Sequence, residues 1–375
     1  MITPKFFIET LAKKDISFFV GVPDSLLKNI CAYITDNIDF SNNIIAANEG
    51  GAMGIAAGYH LATGKIPVVY MQNSGEGNIV NPLLSLIDKE VYNIPVLLLI
   101  GWRGEPGTHD EPQHVKQGKV TLSLLDSMGV GYSILPDDAK EAEKIIEKAY
   151  SHISKTKEAY ALIVRKGTFD NYKLQTNDDN GFTLGREAAI GAIAKSIENN
   201  AVIVSTTGMI SRELFEYRTN NNEGHERDFL TVGSMGHASQ IALGLSIHKS
   251  NRRIYCFDGD GASIMHMGNM AIVGNMKPNN YVHVIFNNGA HDSVGGQPTV
   301  GLKINFLDIA KAVGYEHVFS VSDEKELNRI LGEIKGLKGP VFVEVKVKKG
   351  ARKDLGRPTV SPINNKEALM NFIKG

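Results

Sequence analysis

At 375 residues the chain is long enough for two domains of ordinary size, and 42% hydrophobic with 22% charged residues is the balance of a globular protein. A net charge of −1 leaves no basic footprint for nucleic acid, and only two cysteines, Cys31 and Cys256, exclude an iron–sulfur cluster or a multi-cysteine zinc site. That scarcity suits a reducing compartment. Residues Met1 to Phe7 lack the apolar run of a signal peptide, and no stretch reaches the length of a membrane span, so a cytoplasmic location without membrane partners is expected.

Short apolar runs alternate with amphipathic stretches along most of the chain. Phe18–Val20, Ile44–Ala46, Pro67–Met71, Val96–Ile100 and Ala159–Val164 read as buried strands, and Ala139–Ile153 reads as a helix with apolar residues near i, i+3 and i+4. The run from Asp170 to Asn180 is rich in Asn, Asp and Lys, which marks a polar linker. Beyond it the alternation restarts with Val202–Val204, Ile254–Phe257, Val282–Phe286 and Val341–Val345. The fold class expected is α/β: two doubly wound, mostly parallel-sheet domains, 1–170 and 182–375, around a linker at 171–181. No sequence repeat relates the halves, so any kinship between them is structural.

The chemistry-bearing residues follow the strands. Asp24-Ser25 stands ahead of Leu26–Ile30, either as a helix N-cap or as a substrate contact. Glu49 comes after the run Ile44–Ala46 and opens a helix packed with small residues, either as a carboxylate that satisfies the helix macrodipole or as one that takes part in chemistry. Asn73 and Glu76 follow the next run. The loop Gly101–Lys116 then gathers Arg103, His109 and Lys116 among glycines and prolines, as an anion pocket or as a solvated surface loop.

In the second half, Gly259-Asp260-Gly261 ends an apolar strand, and the segment Ala262 to Asn275 reads as a helix. Glycines beside Asp260 let backbone approach a phosphate, with Ala262 and Ser263 as helix-start N–H donors. The next strand ends on Asn287-Asn288. Adjacent parallel strands deliver such loops to one place, where one carboxylate and one amide oxygen suit Mg²⁺ on a diphosphate. His291-Asp292, just after Asn288, are candidates for proton transfer, and Gln297 for substrate contact.

This spacing resembles the Mg²⁺/thiamin-diphosphate motif of the thiamin-dependent enzymes, and Asn48-Glu49 with Ala56-Ala57-Gly58-Tyr59 resembles the pyrimidine-binding signature of their decarboxylases. The resemblance implies thiamin diphosphate and Mg²⁺ as cofactors. It makes Glu49 the carboxylate that hydrogen-bonds the aminopyrimidine ring, and Asp260, Asn288 and the Ala290 carbonyl the cation's ligands. Gly208 and Met209 then offer backbone contacts to that ring. Ser234 and Met235, in the turn Gly233–His237, prop the cofactor in a bent shape. Gly259 and Gly261 complete the diphosphate loop.

Most family members carry a middle domain that is missing here. The two-domain plan resembles the phosphonopyruvate and sulfopyruvate decarboxylases, and the phrases Gly21–Ser25, Gln72–Gly77 and Gly233–Ser239 look more like the former. The implied activity is decarboxylation of 3-phosphonopyruvate to phosphonoacetaldehyde and CO₂, with sulfopyruvate or another 2-oxoacid as the alternative. Asp24, Ser25, Asn73, Arg103, His109, Lys116 and Gln297 are the expected substrate contacts. The family's sites join two subunits, which implies a homodimer or a dimer of dimers.

Overall fold

Twelve short strands carry the architecture of the computed structural model, which describes residues 1–175 and 179–374. The chain forms two compact units, Met1–Asn177 and Asp178–Gly375. Residues 176–178, inside the expected linker, lie outside the described residues.

The first unit holds β1 (Phe19–Gly21), β2 (Asn43–Ile45), β3 (Val68–Gln72), β4 (Leu97–Gly101), β5 (Gly131–Ile134) and β6 (Tyr160–Val164). They form one parallel sheet in the order β2-β1-β3-β4-β6-β5. Side chains alternate between its faces because the strand period is two. Val68, Tyr70, Leu97 and Leu99 enter one core, while Val69, Met71, Leu98 and Ile100 enter the other. With both faces covered, the strands are apolar throughout.

The second unit holds β7 (Val202–Ser205), β8 (Asp228–Leu230), β9 (Ile254–Gly259), β10 (Tyr281–Asn287), β11 (His317–Val321) and β12 (Val341–Lys346). Its parallel sheet runs β11-β12-β10-β9-β7-β8. Read from the other edge, this is the same topology as in the first unit, strand for strand. The two halves are therefore structural repeats without a sequence repeat. In each, the direction of strand addition reverses between the first and third strands, β1/β3 and β7/β9. Ligands of open parallel sheets bind at the carboxyl ends beside such a switch point.

Two expectations change. The helix expected over Ala262–Asn275 is broken: Asp260–Met265 ends at His266, which leaves helical geometry at φ −134°, and a second helix runs Gly268–Met276. Strands β5, β8 and β11 were not expected. All three are sheet edges, and β5 and β11 are mostly half-buried, so they lack a continuous apolar run.

Candidate active site

In the first unit the candidate residues gather beyond the carboxyl ends of β1, β2 and β3. Asn48 caps the helix Glu49–Thr63 by accepting from Gly51 N at 2.8 Å, which sets Glu49 in the first turn, 5% exposed. From the helix Glu76–Pro82, Asn78 donates its Nδ2 to Glu49 Oε2 at 2.6 Å. On the other side lies Gly75, where a Cβ would come within 2.5 Å of Glu49 Oε1. A buried carboxylate thus rests against bare backbone, one oxygen bonded by a neutral amide. Neither Gly75 nor Asn78 was singled out in the sequence, because both contacts run between separate helices.

Glu76 is 1% exposed and among the described residues neither carboxyl oxygen has a hydrogen-bond partner; burial pushes its pKa from 4.5 to about 8. The folded state therefore holds a proton that the unfolded chain releases, so Glu76 favours folding less as pH rises from about 4.5 to about 8. That displacement is worth at most about 5 kcal/mol. Across pH 5–8 the thermal midpoint of the wild type should fall more steeply than that of Glu76→Gln. Parallel falls in the two proteins would refute a neutral acid at this position.

The expected substrate contacts of this unit are mostly engaged with the scaffold. Asp24, 1% exposed, accepts from Leu26 N at 3.0 Å and Leu27 N at 3.1 Å and is bonded by Gln72; burial raises its pKa against these bonds. Asp24 thus holds the turn ahead of the helix Lys28–Asn37, whose N-cap is Leu27 and not Asp24 or Ser25. Asn73 is fully buried, donating to the Arg103 carbonyl at 2.8 Å and Thr121 Oγ1 at 2.9 Å while accepting from Arg103 N at 3.2 Å. It staples the loop after β3 to the loop after β4. The Arg103 fork, expected to meet an anionic substrate, is instead closed on Asp110, with Nε donating to Oδ2 at 2.8 Å and Nη2 to Oδ1, while Nη1 bonds Ser25 Oγ. Burial opposes it, but the Arg103 fork and the N–H groups of Glu111 and Gly104 hold the Asp110 carboxyl well below its ordinary range. His109 and Lys116 are exposed. The sequence showed the cations of this loop and not the carboxylate that occupies one of them.

In the second unit the loops after β7, β9 and β10 meet. Gly208 has φ +101°, and a Cβ there would lie 2.6 Å from Ser293 Oγ, so the loops after β7 and β10 are in contact. Met209 opens the helix Met209–Asn220. The β9–β10 register pairs Gly259 with Phe286, which sets Asp260 beside Asn287. Asp260 is 2% exposed and its carboxylate accepts from Thr299 Oγ1. Burial pushes its pKa to about 6, and among the described residues no Lys or Arg pairs with it. At Gly301 a Cβ would lie 2.4 Å from Asp260 Oδ2 and 2.8 Å from Asn287 Oδ1.

The two asparagines divide their work. Asn287, fully buried, donates to the Gly301 carbonyl at 2.8 Å and Glu344 Oε1 at 2.7 Å. Asn288 donates to Asp292 Oδ2 at 2.6 Å, and its Oδ1 accepts from Ala290 N at 3.0 Å. His291 lies against Gly261, where a Cβ would come 2.9 Å from its Cε1; burial lowers its pKa to about 4, so the ring is neutral at neutral pH. Asp292, expected to move protons, is held in an ion pair with Arg186 at 2.8 Å.

Beneath the loop, Asp258 accepts from Gly259 N at 3.0 Å and Ser263 Oγ at 3.1 Å, with His283 Nε2 at 3.5 Å, so both ends of the Gly259–Ser263 turn are tied down. Ala262 is buried in the same turn. Beside it, Ser234 (φ +55°) and half-buried Met235 occupy the turn Gly233–His237, joined to Asn269 through the Gly236 carbonyl at 3.1 Å. A cavity of about 980 Å³ lies elsewhere in this unit, against Arg186, Glu187, Lys195, Glu213 and Arg352, and none of the expected site residues lines it.

These residues fit a cation and a polar cofactor. Among the described residues Asp260 is a buried acid without a cationic partner, and the buried Thr206 Oγ1 and both amide atoms of Gln297 have no hydrogen-bond partner.

Two parallel α/β units of one topology, with a buried Glu in one and a buried Asp–Asn pair in the other, are the frame in which the likeness to known proteins falls. Residues 1–125 match the thiamine pyrophosphate enzyme N-terminal TPP binding domain, and residues 206–345 match the C-terminal TPP binding domain. Phosphonopyruvate decarboxylase of Streptomyces viridochromogenes is 32% identical, covering 96% of this chain and 91% of that one; that of Streptomyces hygroscopicus is 30% identical, covering 96% and 92%. Sulfopyruvate decarboxylase of Methanosarcina acetivorans is 27% identical, covering 97% and 95%. The chain belongs to the thiamine pyrophosphate enzyme family and groups there with decarboxylases.

Proposed function

We propose that the protein is a thiamin-diphosphate- and Mg²⁺-dependent decarboxylase that converts 3-phosphonopyruvate to phosphonoacetaldehyde and CO₂. The observation that carries the substrate is similarity over 96% of the chain to proteins with that activity in their names. When bound, thiamin diphosphate supplies the electron sink for carbanion chemistry. Glu49 holds a proton against the cofactor's ring nitrogen. Asp260, Asn288 and the Ala290 carbonyl hold the cation, and the Gly259–Ser263 turn presents N–H groups to the diphosphate. Gly208, Met209, Ser234 and Met235 orient the rings. His291, against Gly261, is the candidate for proton transfer in this site.

The departing carboxylate should be held without strong charge, since stabilising it slows its loss. The phosphonate calls for cations. Exposed Lys116 and His109 are the residues of this loop left for it, with Arg103 engaged by Asp110. Sulfopyruvate bears one negative charge less and makes a smaller demand on them. Parallel rates on 3-phosphonopyruvate, 3-sulfopyruvate and pyruvate, with and without thiamin diphosphate, test the assignment. A kcat/KM at least about tenfold higher for the phosphonate is expected; an equal or higher value for sulfopyruvate defeats it.

Glu49 and Asp260 stand on different units, and because the sites of this family join two subunits, this reading also calls for a homodimer or a dimer of dimers. An active sample that sediments as one chain contradicts it. Domain limits of 1–170 and 182–375 belong to the same proposal. So does a cytoplasmic location: among the described residues no helix is long and apolar enough to cross a membrane, and both cysteines are free and buried.

A further inference from the structure

Arg186 opens the helix Arg186–Ser196, yet its guanidinium turns inward and its side chain is 5% exposed. A buried cation is tolerated only with good partners, since desolvation costs several kcal/mol. Here its bonds divide between Glu213 and the loop that carries the candidate cation site. Nε and Nη2 form a fork on Glu213 at 2.8 and 2.9 Å, and Nη1 donates to Asp292 Oδ2 at 2.8 Å. The same Asp292 oxygen accepts from Asn288 Nδ2 at 2.6 Å and from Gly350 N at 3.0 Å. One carboxylate oxygen thus gathers donors from the unit's first helix, the loop after β10 and the segment after β12.

The consequence falls on Asn288. A primary amide presents donors on one side and an acceptor on the other, and a cation takes only the acceptor. An ionised carboxylate accepts and does not donate, so Asp292 captures the NH₂ side and leaves Oδ1 on the opposite side. Arg186 in turn determines where Asp292 stands, and the Glu213 fork determines where Arg186 stands. We propose that Arg186 and Asp292 are positioning residues of the cation site: Arg186, braced by Glu213, fixes Asp292, and Asp292 fixes the Asn288 amide with its oxygen toward the cation. This rests on the reading of Asn288 as a cation ligand.

A purely structural role for the same bonds, tying the helix Arg186–Ser196 to Met209–Asn220 through Glu213, predicts lost stability and unchanged metal affinity. Calorimetric titration of Mg²⁺ into protein held at saturating thiamin diphosphate, with the thermal midpoint of the metal-free protein beside it, separates the two. Asp292→Asn is the milder variant because Arg186 keeps Glu213; Arg186→Lys, which keeps the charge and loses the fork, is the second. Each should raise the Mg²⁺ dissociation constant about 10–100-fold, as loss of a ligand-orienting partner does. Because Asp292 acts through Asn288, adding Asp292→Asn to Asn288→Ala should weaken binding no further than Asn288→Ala alone. If Asn288→Ala weakens Mg²⁺ binding while the other two leave it unchanged, the positioning role is overturned and the cation reading stands. If Asn288→Ala also leaves it unchanged, both fall.

Discussion

Glutamine in place of Glu49 should lower kcat by about 10²–10⁴-fold while thiamin diphosphate and Mg²⁺ still bind. The substitution is nearly isosteric. The new side-chain amide can still accept from Asn78 and still fits above Gly75, so the helix start and its cap at Asn48 should survive. What disappears is a carboxylate oxygen able to hold a proton. Cofactor affinity by calorimetry should stay within a few-fold of wild type, and the thermal midpoint should barely move. Should Glu49→Gln retain most of the wild-type rate, the catalytic reading of this residue is wrong. Should it lose cofactor binding instead, Glu49 is a binding group.

The second large effect is expected at Gly301, a position without chemistry of its own. A methyl group there would stand 2.4 Å from Asp260 Oδ2, 2.7 Å from Asp260 Cβ and 2.8 Å from Asn287 Oδ1. These neighbours are short, buried and tied to backbone, so they have little room to give. Overpacking of this kind typically costs about 1–3 kcal/mol, and here the displaced group is the candidate cation ligand. Gly301→Ala should raise the Mg²⁺ dissociation constant at least about a hundredfold, and excess Mg²⁺ should recover part of the activity. Gly332→Ala is the control: nothing lies within 4 Å of a Cβ there, in the helix Glu324–Ile334, and a small gain in stability is expected. Equal effects of the two substitutions would remove Gly301 from the cation site.

The interior strands were legible because central positions of a parallel sheet are buried on both faces and their residues form apolar runs. Edge strands β5 and β11 share their residues with solvent, and β8 is a three-residue strand that opens on Asp228, so none of them carried such a run. The identical order of the two sheets was invisible for a related reason. Topology depends on which strand lies beside which, and quite different apolar residues fill the same positions.

The candidate site divides in the same way. Glu49, Asp260, Asn287 and Asn288 announce themselves because each follows a strand and sits in a short motif whose chemistry is local. Gly75 and Asn78 beside Glu49, Thr299 and Gly301 beside Asp260, and Arg186 and Glu213 behind Asp292 come from elsewhere in the chain, and no spacing rule joins them. The same limit hid the partner of Arg103: Asp110 lies seven positions further on, and only the folded loop closes the fork. The sequence by itself determined the α/β class, and its strand-end motifs carried the resemblance to the thiamin-dependent enzymes and named the candidate residues, because strand period and strand-end motifs are short-range properties. Only the tertiary structure decided which charges are already neutralised, which glycines must stay bare and which way the Asn288 amide is held, because those depend on distances of a few ångströms between segments far apart in the chain.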